Sequence, residues 1–134
     1  MQFSNHQLVL YPAQPDNGLV KERLAACLQA LGLLGIALEE GRYATGDAFL
    51  SLVCFLGCSP DIELEPQVGK PFCYVQLPQS DAPTTFQLIR KPVVSTASWV
   101  VIGNIHEAEA VPDTALFEAL EAASGCRWKY AYRR

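Results

Sequence analysis

Between two helix signals, at about residues 17–33 and 113–124, the chain carries a succession of strand-length apolar segments cut apart by proline and glycine. Strands joined by short links pair antiparallel, because a parallel pair needs a crossover of a dozen or more residues. The order therefore predicts an α+β protein, a single domain over residues 1–134 with a mainly antiparallel sheet of about five to seven strands and two helices. A chain of 134 residues buries roughly two thirds of the surface it exposes when unfolded, so no second domain is required.

The first helix is read from Val20, Leu24, Cys27, Leu28 and Leu31, which recur with helical spacing and leave Lys21, Glu22, Arg23 and Gln29 on the opposite side. Asp16 or Asn17 is the expected cap, and Gly32 or Gly35 the stop. The second helix opens at Pro112-Asp113, buries Leu116, Phe117, Leu120 and Ala123, and ends at Gly125.

Among the strand candidates, residues 49–56 form the longest apolar run. Phe49, Val53 and Phe55 alternate with Leu50, Leu52, Cys54 and Leu56, so both faces are apolar and the run reads as a central strand with Cys54 in the core and Cys58 at the rim, just before Ser59-Pro60. Residues 7–11 and 99–105 are further strands, and Glu39-Glu40-Gly41-Arg42 has the composition of a hairpin turn. Residues 61–65 alternate Ile62 and Leu64 with carboxylates, the pattern of an outer strand, and residues 72–77 are expected to pair with 84–89. In the last segment Trp128, Tyr130 and Tyr132 share one face and Arg127, Lys129 and Arg133 the other.

Two chemistries are open to the cysteines. Cys54, Cys58 and Cys73, with His106, are the residue types that bind zinc or iron, although a Cys54 inside an extended strand stands about 13 Å from Cys58 at ~3.3 Å per residue. Alternatively Cys58 is a catalytic thiol with His106 as base and Glu107 or Asp61 orienting it; the acidic residues after Cys58 oppose thiolate formation. The carboxylates at 61, 63 and 65 and at 107, 109 and 113 suit an edge strand and a helix start better than a cation site. Tyr74 and Trp99 are candidate linings of a small-ligand pocket. There is no Walker loop, GxGxxG, GxSxG or HExxH.

The charge balance narrows the partners. Ten basic against fourteen acidic side chains give a net charge of −4, which disfavours nucleic acid and anionic membrane. The first residues lack the basic and apolar regions of an export signal, no apolar window reaches the ~18–20 residues of a membrane span, and five cysteines suit thiols in a reducing cytoplasm. The expected function is accordingly a non-catalytic, cytoplasmic protein-binding or accessory module without a cofactor, self-associating as a homodimer, with the partner surface at Arg127, Trp128, Tyr130 and Tyr132. The alternative is a thiol-dependent or metal-thiolate enzyme centred on Cys58 with Cys54, Cys73 and His106.

Overall fold

Four consecutive apolar side chains in β1 (His6–Pro12) are buried on both faces of one sheet: Leu8 and Leu10 in one core cluster, Val9 and Tyr11 in another. The structure, a computed structural model, describes residues 6–56, 63–66, 68–69, 72–105 and 109–134. It is an α+β protein whose main sheet has six antiparallel strands in the order β10-β1-β8-β5-β3-β2, within the expected five to seven. The other members are β2 (Leu34–Ala37), β3 (Arg42–Thr45), β5 (Tyr74–Gln76), β8 (Val100–Ile105) and β10 (Trp128–Arg133). β8 is buried like β1, with Val100 and Ile102 on one side and Val101 on the other, so these two strands form the centre.

Helices α1 (Lys21–Leu31) and α3 (Thr114–Ser124) cover one face, inserting Leu24, Leu28, Leu116 and Leu120 into the cluster around Leu8, Leu10, Val75 and Ile102. Both glycine stops match the sequence reading, since Gly32 and Gly125 adopt φ of 89° and 71°, and so do the stripes apart from Val20, which precedes α1 and is 54% exposed. Asp113 caps α3 by accepting the Ala115 N–H at 2.9 Å. The start of α1 differs from expectation. Asp16 and Asn17 lie in a preceding turn, where the Asn17 N–H binds the Gln14 carbonyl, and the cap position is Val20, with no side-chain cap.

The hairpin at Glu39–Arg42 forms as expected. Glu40 and Gly41 both have positive φ, and the Arg42 N–H reaches the Glu39 carbonyl at 3.1 Å, the geometry that matches strand twist in a two-residue turn.

Three strand expectations are corrected. Residues 49–56 are not a central strand: Phe49–Leu52 is one helical turn, α2, and only Val53–Phe55 is a strand, β4, paired with β9 (Ala110–Pro112) outside the main sheet. Phe49 and Leu52, three apart, both point into the core, while Leu50 between them is 59% exposed and Cys54 is exposed. An apolar run suits either period, and here the helical one is realised because β1 and β8 already fill the sheet centre. Secondly, β5 does not pair with β6 (Thr84–Phe86). β5 lies between β3 and β8, which leaves β6 to pair with β7 (Val94–Thr96). That small hairpin lies on the second sheet face and packs Phe86 and Leu88 with Val9, Tyr11, Trp99, Val101 and Ala131. Thirdly, residues 63–66 form no strand; the rest of the outer strand expected at 61–65 lies outside the described residues.

Candidate functional site

Among the described residues, the β6–β7 hairpin covers only part of the second face. On the remainder, strand register lines up Arg133 of β10, Gln7 of β1, Gly103 of β8 and Tyr74 of β5. Side chains at equivalent positions of neighbouring strands stand side by side, so sequence positions 7 to 133 meet here. The Gln7 amide joins the row, accepting from Arg133 Nε through Oε1 and donating from Nε2 to the Tyr74 hydroxyl at 2.9 Å. Gly103 makes the arrangement possible: a Cβ there would stand 2.0 Å from Tyr74 Cζ, so the ring lies in the space a side chain would take.

Both arginines of this face stack on aromatic rings. The Arg42 guanidinium carbon is 4.5 Å from the Tyr74 centroid, and that of Arg133 is 4.7 Å from the Phe86 centroid. Phe72 packs edge-on against Tyr74 at 6.4 Å. Burial pushes the Arg133 pKa down, with the neighbouring Tyr74 opposing that shift. Arg42 Nε is buried and has no hydrogen-bond partner. The one ion pair among the described residues is Lys21–Glu22, on the exposed surface, so neither Arg42 nor Arg133 has a described carboxylate partner. Beside Arg42 lies an open cleft of about 740 Å³ lined by Ala37, Leu38, Glu39, Glu40, Val68 and Phe72.

With one lone pair of Gln7 taken by Arg133 and one of its N–H groups given to Tyr74, the guanidinium nitrogens, which never accept, make donors outnumber acceptors along the row. A surface of this kind receives an acceptor, preferably an anionic one.

The residues expected to bind a partner are placed differently. Trp128 is 5% exposed and belongs to the core; its indole N–H donates to Ser124 Oγ at 3.0 Å. Tyr132 donates to the Ala110 carbonyl at 2.6 Å, and Tyr130 packs on Phe117 of α3 at 5.9 Å. Trp128 and Tyr130 therefore pack on α3, and Trp128 is corrected from surface to core, while Tyr130 remains 37% exposed. Arg127 is exposed at the start of the strand. β10 is an edge strand as expected, but its outer side is partly engaged, with the Trp128 N–H on the Glu121 carboxylate at 3.0 Å and the Tyr132 carbonyl on the Ile89 N–H at 2.7 Å. The opposite edge, β2, carries a bulge in which the four residues from Leu34 to Ala37 lie against the three from Tyr43 to Thr45 of β3.

Of the thiol candidates, Cys58 and His106, with Asp61 and Glu107, lie outside the described residues. Cys54 is exposed on β4, and its thiol is raised by local desolvation and by the Asp113 carboxylate at 3.6 Å. Cys73 is buried, and burial pushes its thiol up to about 12. Neither environment favours a thiolate. Among the described residues no three His, Cys, Asp or Glu side chains come together as a metal site. Trp99 lies under the β6–β7 hairpin, edge-on to Phe86 at 5.4 Å, away from the Tyr74 row, so the two do not share the open face. The sequence reading passed over Arg42, Gln7 and Gly103. The available signal was Gly103, a glycine inside a strand of large apolar residues, which marks a close approach by another group.

These features define a class: an α+β protein with two helices on one face of an antiparallel sheet and an open, donor-lined polar row on the other. Compared with known proteins, the chain matches no family model, no curated protein and no solved structure. Among the described residues no helix is long and apolar enough to cross a membrane.

Proposed function

We propose that this chain is a non-catalytic binding module that works through protein contacts, and that it binds on the open sheet face around Arg42, Tyr74 and Arg133. The observation that carries this reading is Arg42, whose Nε is buried without an acceptor while its guanidinium is held against Tyr74. An unsatisfied buried donor costs roughly 1–3 kcal/mol, and a carboxylate on the rest of this guanidinium, which has none among the described residues, would offset it. The raised thiols of Cys54 and Cys73 count against either of these two cysteines as a nucleophile.

Native mass spectrometry tests the reading, on protein isolated under reducing, non-denaturing conditions from the cells that make it. The wild type is expected to carry a stoichiometric polypeptide that Arg42→Met lacks. Bare monomer from both chains would overturn it. Folding of the variant is checked by thermal unfolding, where Arg42→Met is expected to be neutral or about 1 kcal/mol more stable, because relief of the orphan donor outweighs the lost stacking. A loss above about 2 kcal/mol would make Arg42 structural instead.

A further inference from the structure

The donor row also specifies what it receives. We propose that its ligand is an extended acidic segment of the partner polypeptide, with carboxylates on alternate residues, one held by Arg133 and Tyr74 and the next by Arg42. This rests on the binding-module reading above and deepens it.

Four observations lead there. Donors outnumber acceptors along the row, and neither guanidinium is paired with a carboxylate of a described residue, so the ligand must bring acceptors. Each guanidinium is stacked on a ring, Arg42 on Tyr74 and Arg133 on Phe86, which holds its planar fork in one orientation; a fork so held matches the two oxygens of a carboxylate and loses little freedom on binding. Arg133 is bonded to Gln7 on β1, and Arg42 lies over the Tyr74 ring, which reaches from β5 across Gly103 of β8, so the two guanidinium groups are held over strands one to two spacings apart, roughly 5–10 Å. An extended peptide sets side chains i and i+2 on the same side about 6.6 Å apart, and flexible acidic side chains make up the remainder. Finally, long polyanions are opposed by the net charge of −4, and locally by Glu39 and Glu40, which line the same cleft as Arg42 and bound the favourable region on that side. A short acidic stretch fits where nucleic acid does not.

The test is fluorescence anisotropy of the full chain with a fluorescein-labelled peptide Gly-Ser-Asp-Ser-Asp-Ser-Gly, using glutarate and inorganic phosphate as competitors. Saturable binding is expected that weakens as salt rises, falls at least tenfold in Arg42→Met and in Arg133→Lys, and is lost when both aspartates of the peptide are replaced by asparagine. Binding that ignores those substitutions, or that phosphate abolishes as readily as excess unlabelled peptide does, would overturn the proposal. Should the peptide fail to bind while the native polypeptide complex still depends on Arg42, this inference falls and the binding-module reading stands; should that complex also survive Arg42→Met, both fall.

Discussion

Gly103 and Tyr74 face each other on β8 and β5, and the tyrosine ring lies where the glycine has no side chain, within 2.0 Å of the place a Cβ would occupy. Gly103→Ala is expected to lift the ring, break its bond to Gln7 and remove the surface on which Arg42 stacks, at about 1–3 kcal/mol in urea unfolding. Adding Tyr74→Ala should recover part of that loss, because the clash disappears with the ring. A double variant no more stable than Gly103→Ala alone would show that the glycine serves the backbone rather than the ring.

The turn at Phe49–Leu52 separates two adjacent apolar residues. Phe49→Ala is expected to cost about 3–5 kcal/mol, since the side chain is fully buried, whereas Leu50→Ala should change stability by no more than about 0.5 kcal/mol. Equal losses in chemical denaturation would mean that both side chains are buried, as on a central strand.

Asp113 has two duties. Its carboxylate caps α3 through the Ala115 N–H and lies beside the Cys54 thiol. Asp113→Ala is therefore expected to lower stability by about 1 kcal/mol and to bring the Cys54 pKa down, because a negative neighbour that opposed ionisation is gone. The pH profile of Cys54 alkylation should shift to lower pH; a profile that does not move would remove Asp113 from the account of that thiol.

Cys73 gives the fold an alkaline sensitivity. Its thiol titrates at about 12 in the folded chain and near the ordinary ~8.5 when unfolded. Above that lower value the unfolded state has lost the proton that the native state still holds, so stability falls as pH rises, by up to about 1.4 kcal/mol per pH unit until the native thiol ionises. Denaturation between pH 8 and pH 11 should show a shallower decline for Cys73→Ala than for the wild type. Identical slopes would place the alkaline sensitivity elsewhere, for instance at Cys27 or Tyr11, whose pKa values burial also raises.

The elements legible in the sequence are those whose cause lies within a few residues. The stripes of α1 from Leu24 onward and of α3, the left-handed glycines at 32 and 125, the Asp113 cap and the Glu39–Arg42 turn depend on local spacing and backbone freedom, and each stands where the pattern put it. What tertiary structure alone decided is collective. Whether Phe49–Leu52 alternates or coils, and whether Trp128 faces water or α3, depends on which strands take the sheet centre and which face the helices cover. The candidate site is the extreme case: Gln7, Arg42, Tyr74, Gly103 and Arg133 come from five strands, and only register brings them together. Strand pairing is settled by the total burial of both faces at once, a quantity that no window of the chain contains.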